Sequence, residues 1–160
     1  MTVDQIKHHI IETAKTYNTS VLQCLAQAKA ESGFNPFTGE SSINPFIGVF
    51  RPVGIKLEKE TSQNIDGGVR YIKQCNSLFP ERLDLALVAY SWGIENAFKM
   101  IWAASGYPPS ANEPPPATWP STDVVVNTIP PETRDYIERV MQYMFELQRD
   151  PVYLASSGAS

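Results

Sequence analysis

Eight of the chain's 13 prolines fall between Tyr107 and Pro131, three of them consecutive at Pro114-Pro115-Pro116. Proline has no amide hydrogen to donate and fixes φ, so this stretch reads as an extended, polyproline-like excursion. Trp119, Val124, Val125, Val126 and Ile129 punctuate it as apolar anchors onto the rest of the molecule. Segments of helical periodicity lie on either side. Thr2 and Gln5 have capping-box spacing and precede Val3, Ile6, Ile10, Ala14 and Tyr17 at helical intervals. Ser20 and Gln23 repeat the device before Val21, Leu22, Leu25, Ala26 and Ala28, and Gly33 with Pro36 stops that second helix. Helical spacing returns at Ile65, Val69 and Ile72, from Leu83 through Tyr90, and at Ile94, Ala97, Phe98 and Ile101. Pro131 opens a last helix with Tyr136, Ile137, Val140, Met141, Met144 and Phe145 on its apolar side.

Between Phe37 and Leu57 no helical period is present. Gly39, Gly48, Gly54, Pro45 and Pro52 divide short β-prone pieces, which predicts a small hairpin or an ordered loop. At 160 residues the chain is expected to form one domain over 1–153, with 107–131 as an insert packed on its body. The ending Ser156-Ser157-Gly158-Ala159-Ser160 has linker composition, so 154–160 is expected to be a flexible tail.

A net charge of −4 and a pI near 5.2 argue against a nucleic-acid partner, because no Lys/Arg cluster is available to neutralise phosphates. Apolar runs are only a few residues long, which excludes a membrane-spanning helix. The start, Met1-Thr2-Val3-Asp4-Gln5-Ile6-Lys7-His8-His9, lacks the charged-then-apolar layout of a signal peptide. Cys24 and Cys75 have no CxxC or Cys/His spacing, so they read as two buried free thiols, with a single disulfide as the alternative. His8 and His9 are adjacent and would point apart on a helix, as surface residues do. No metal or cofactor is implied.

The candidate for chemistry is Glu31, in Ala30-Glu31-Ser32-Gly33-Phe34-Asn35-Pro36 at the tail of the second helix. A carboxyl group fenced there by aliphatic and aromatic neighbours is disfavoured in its charged form, as a general acid near neutral pH requires. The alternative is an ordinary helix-end glutamate standing half in water.

Four blocks beginning at Glu31 resemble the lytic transglycosylases, a family of the lysozyme-like superfamily that includes goose-type lysozyme. Glu31-Ser32-x-Phe34-Asn35-Pro36 is similar to the family's sequence around its catalytic acid. Gly48-Val49-Phe50-Arg51-x-Val53 is similar to its G-L-M-Q-x-M groove segment, and Asn64-Ile65-x-x-Gly68-x-x-Tyr71-Ile72 to its N-I-x-x-G-x-x-Y-L. Ala89-Tyr90-Ser91-x-Gly93 resembles A-Y-N-x-G, and a coda, Ile129-Pro130-x-Glu132-Thr133-Arg134-x-Tyr136-Ile137, resembles I-P-x-E-T-R-x-Y-V. The five stand in the family's order over residues 31 to 137.

The resemblance implies a mainly α, lysozyme-like helical domain, with the 37–57 segment as a hairpin or irregular wall beside a groove. It implies cleavage of the β-1,4 bond between N-acetylmuramic acid and N-acetylglucosamine in bacterial peptidoglycan. Glu31 would be acid and then base, and the muramyl 6-hydroxyl would close a 1,6-anhydro product. Ser32, Phe50, Arg51, Tyr90, Ser91, Glu132 and Tyr136 fall at positions that meet the glycan. Trp92 and Trp119 are further aromatic candidates for sugar stacking, with structural packing as the alternative. Arg51 stands where the family has an amide and Ser91 where it has Asn. A lysozyme-type hydrolase would add a second acid, for which Glu40 and Asp66 are candidates; a murein-binding structural module is the non-enzymatic alternative. The expected partner is the glycan strand, with the protein a monomer or part of a larger assembly. Made in the cytoplasm without a leader, such a protein would reach the cell wall by phage lysis or in a virion; a domain of a longer cell-wall protein is the alternative.

Overall fold

The computed structural model describes residues 2–34, 61–106 and 119–157. They are mainly helical, with eight helices and no strand among the described residues. The hairpin or loop wall expected at 37–57 lies outside them. The chain divides into two compact units, one of Met1–Lys73 with Glu138–Ser160 and one of Gln74–Ile137.

The first unit is built on α1 (Val3–Thr16) and α2 (Val21–Ser32), which pack on each other. Both arms of the capping box at α1 form: Gln5 N–H donates to Thr2 Oγ1 at 3.1 Å, and Thr2 N–H donates to Gln5 Oε1 at 2.8 Å. Ile6, Ile10, Ile11 and Ala14 are fully buried, each large one worth about 1.5–3 kcal/mol of burial. Val3, expected on that face, is exposed. In α2, six consecutive residues, Gln23 to Ala28, are buried, more than a full turn, so the middle of the helix is covered all round. Burying two amides there is tolerated because Gln23 Nε2 donates to Gln27 Oε1 at 2.8 Å, one turn on.

α3 (Thr61–Leu78) places Asn64, Ile65, Gly68, Val69, Tyr71 and Ile72 on its buried side, so the third sequence block is a core stripe. The C-terminal part of α7 (Pro131–Leu147) and α8 (Pro151–Ser156) complete this unit, with α8 against α1. Asp150 caps α8 through Oδ1, which accepts from Val152 N–H at 2.9 Å and Tyr153 N–H at 3.3 Å. Lys15 Nζ donates to the Ser156 carbonyl at 3.1 Å. Residues 154–156, expected within a flexible tail, are therefore the second half of a capped helix.

The second unit centres on α4 (Leu83–Trp92), buried continuously from Leu85 to Tyr90, with α5 (Ile94–Ser105) and α6 (Thr122–Thr128) against it. Gly93 ends α4 and starts α5 with φ +106 and ψ 143, close to a region that only glycine occupies readily. The expectation of an extended chain up to Pro131 is corrected by α6. Ser121 Oγ caps it, and residues 121–129 are free of proline. Of the expected anchors, Val125 and Ile129 are buried one helical turn apart, and Val124 is exposed. Trp119 packs edge-on against Phe79, with centroids 5.5 Å apart. Arg82 grips Asp84 through Nε at 3.0 Å and Nη2 at 2.9 Å, and Nη2 also donates to the Pro120 carbonyl at 2.7 Å.

α7 opens at Pro131 as expected, but its apolar side is narrower than the sequence suggests. Tyr136, Val140 and Leu147 are buried, whereas Met141 is 50% and Phe145 62% exposed. Positions 141 and 145 sit one residue beyond the 140 and 144 positions of the stripe, turned away from it.

Candidate functional site

Glu31 is half-buried in the last turn of α2, and Ser32 beside it turns its hydroxyl back to donate to the Ala28 carbonyl at 3.3 Å. The helix then stops abruptly. Gly33 takes φ +63 and Phe34 φ +65, two left-handed residues in succession. For Gly33 this conformation is nearly free, and its amide donates to the Lys29 carbonyl at 2.9 Å as a helix cap. For Phe34 it costs roughly 1–2 kcal/mol, and such strain persists only where surroundings impose it.

Phe34 is 4% exposed, and Lys7 Nζ of α1 lies over the ring, 5.2 Å from its centroid. The same ammonium bridges Asp150 Oδ2 at 2.7 Å, with both side chains only 13–14% exposed. Burial pushes the Asp150 carboxyl up, but the hydrogen bonds from Lys7 and from the Tyr153 and Val152 amides outweigh it. The group is held below the usual carboxylate range.

The same helix end is gripped from α7. Lys29 Nζ stands 3.5 Å from Glu146 Oε2 and 4.5 Å from the Tyr143 ring centroid. Arg139 Nη1 reaches the carbonyl of Ala30, the residue before Glu31, at 3.4 Å. Lys7 and Arg139 escaped the sequence reading because they come from helices distant in sequence, and Lys29, on α2 itself, because it carries no motif.

Asp66, a candidate second acid, has other partners on the described surface. It accepts from the Tyr17 hydroxyl at 2.6 Å and pairs with Arg70 at 2.9 Å, one turn along α3. The hydrogen bond to Asp66 raises the Tyr17 phenol, with some help from burial. Glu40, Phe50 and Arg51 lie outside the described residues.

In the second unit, Tyr90 and Tyr136 are brought together. Their rings stack with centroids 6.2 Å apart and planes within 7°, and both are buried. Ser91 donates its hydroxyl to the Leu87 carbonyl at 2.8 Å, a back-bond within α4. Glu132 is exposed in the first turn of α7, where an acidic residue suits the helix dipole. Arg134 Nε, from the same block, donates to the Val126 carbonyl at 3.1 Å and ties α7 to α6. Trp92 is half-buried, and its carbonyl accepts from Asn96 Nδ2 at 2.8 Å. Trp119 keeps its indole Nε1 buried with no hydrogen-bond partner among the described residues.

Cys24 and Cys75 are buried thiols outside any disulfide, and burial pushes Cys24 up to about 12. Among the described residues, no group of three His, Cys, Asp or Glu side chains could hold a metal ion, and no helix is long and apolar enough to cross a membrane. No protein-family model, curated protein or solved structure matches the chain.

Proposed function

We propose that the protein cleaves the β-1,4 bond between N-acetylmuramic acid and N-acetylglucosamine in peptidoglycan, in a lysozyme-like domain, with Glu31 as the acid. The observation that carries the reading is the place of Glu31: the half-buried last turn of a helix whose middle is buried all round, ending at once in two left-handed residues. The Glu31 carboxyl group belongs to the turn that forms the negative end of the α2 dipole. The ordered blocks from Glu31 to Tyr136, with their resemblance to lytic transglycosylases, supply the reaction.

Glu31 would protonate the departing glycosidic oxygen as positive charge develops on the muramyl ring. The muramyl 6-hydroxyl then bonds to C1, and its proton passes to the Glu31 carboxylate, restoring the acid. No water is consumed, and the new end is a 1,6-anhydro sugar. A glycan strand is the partner, and release by phage lysis machinery or carriage in a virion is the proposed setting.

Turbidity loss and product analysis on purified sacculi test this. The parent is expected to release 1,6-anhydromuramyl ends that resist borohydride. Glu31→Gln is expected to lose about 10²–10⁴-fold in rate at nearly constant shape. Reducible ends heavier by one water would replace the transglycosylase with a hydrolase, whose second acid would stand about 6.5–9.5 Å from Glu31. Binding to sacculi without lysis would leave a murein-binding module.

A further inference from the structure

We propose that Lys7 is a positioning residue for Glu31: its ammonium, oriented by Asp150, holds the Phe34 ring and so the reversed turn on which α2 ends. The inference deepens the reading above and rests on it. Three observations converge. Lys7 is largely withdrawn from water, its Nζ shared between Asp150 Oδ2 at 2.7 Å and the Phe34 ring face at 5.2 Å. An ammonium removed from solvent gains more from a carboxylate and an aromatic face than an exposed one does. Asp150 cannot easily swing away, because its other oxygen is engaged by two α8 amides. Phe34 itself is buried in a backbone conformation that a non-glycine residue leaves when it can.

The effect on chemistry follows from distance along the chain. Phe34 is three residues beyond Glu31, and at Gly33 between them the place a Cβ would take is open. A ring released from Lys7 lets Phe34 relax out of the left-handed region, and with it the last turn of α2. A small displacement of a proton donor costs rate without weakening glycan contacts made elsewhere, so the loss should appear in kcat rather than KM.

The experiment compares sacculus cleavage by the parent, Lys7→Met, Lys7→Arg, Asp150→Asn and Glu31→Gln. It also records ring resonances of phenylalanine-labelled protein, with Phe34→Leu identifying the Phe34 signal. Lys7→Met keeps the aliphatic stem and removes the charge. It should lower kcat on the order of 10–100-fold, leave KM within about twofold and shift the Phe34 resonances. Lys7→Arg should restore most of the rate. Asp150→Asn retains a capping oxygen for α8 but loses the charge that orients Lys7, so it should move kcat and the Phe34 signal in the same direction. Parental kcat in folded Lys7→Met, or a fall in kcat with unmoved Phe34 resonances, overturns the proposal. Should Lys7→Met fail to fold, the same two readouts in Asp150→Asn decide. A parent that cleaves, stops with Glu31→Gln and ignores Lys7→Met removes the role of Lys7 alone. A parent that leaves sacculi intact removes the Glu31 reading and this role with it.

Discussion

The rings of Tyr90 and Tyr136 lie nearly parallel, within 7°, at 6.2 Å between centroids. They belong to two different sequence blocks, the A-Y-S-x-G segment of α4 and the coda that opens α7. An offset stack of two buried rings adds about 0.5–1.5 kcal/mol to their burial. Tyr136→Ala should therefore destabilise by roughly 3–5 kcal/mol, read as a lower midpoint in urea. Tyr136→Phe keeps the ring and its stacking and should cost less than Tyr136→Ala. If the phenol also meets the glycan, Tyr136→Phe will lose sacculus cleavage out of proportion to its change in stability.

Two glycines should respond differently to alanine. At Gly93, φ +106 with ψ 143 is a conformation alanine tolerates poorly, and the change should cost about 2–3 kcal/mol, or roughly 4–12 °C in Tm. At Gly33, φ +63 with ψ 29 lies in the ordinary left-handed well, and an added Cβ meets nothing within 4 Å. Gly33→Ala should cost only about 1 kcal/mol, so the two melting curves rank the sites. Equal losses would contradict the geometry at one of them.

Acid should loosen the first unit through Asp150. Its folded pKa lies below its unfolded one, so the stabilisation is fully present above the ordinary aspartate value of about 3.9. It is lost as pH falls through the folded value. Asp84, held down by Arg82 and Thr122 against its own burial, should act the same way in the second unit. Melting temperatures between about pH 2 and 7 should fall less steeply on the acid side for Asp150→Asn than for the parent.

Thiol reagents should find little to attack. Cys24 is fully buried and pushed up to about 12, and Cys75 is 1% exposed. Reactivity follows the thiolate. Native protein should thus show almost no rapid reaction with an aromatic disulfide reagent near pH 8, and two equivalents after unfolding. Rapid native labelling would indicate that one of the helices carrying them opens readily.

The helices most legible in the sequence were those whose boundaries have side-chain chemistry of their own. Thr2 with Gln5, Ser20 with Gln23, and Gly33 as a left-handed cap announced α1 and α2 because each satisfies backbone groups that a helix end leaves open. Similar signals at α6 and α8 were present but outweighed. Ser121 with Asp123 was read within a proline-rich stretch, and Asp150-Pro151, a cap followed by proline, ran into the linker-like ending. The width of α7's apolar side was overestimated because hydrophobicity alone does not say which side chains find cover. At the candidate site, Glu31 and its stopping glycine were readable from local sequence. The cations around that helix end were not, since Lys7 and Asp150 meet across 143 residues.

That long span bears on how the chain assembles as it is synthesised. The second unit, Gln74–Ile137, is one uninterrupted stretch and can gather its contacts as soon as it is made. The first is discontinuous, and α1 has to wait for α8, almost the last part described, before Lys7 finds Asp150. Closing so distant a pairing is entropically slow, so α1 and α2 spend synthesis with buried-type surface uncovered. The turn behind Glu31 is thus among the last features of the protein to acquire its final form.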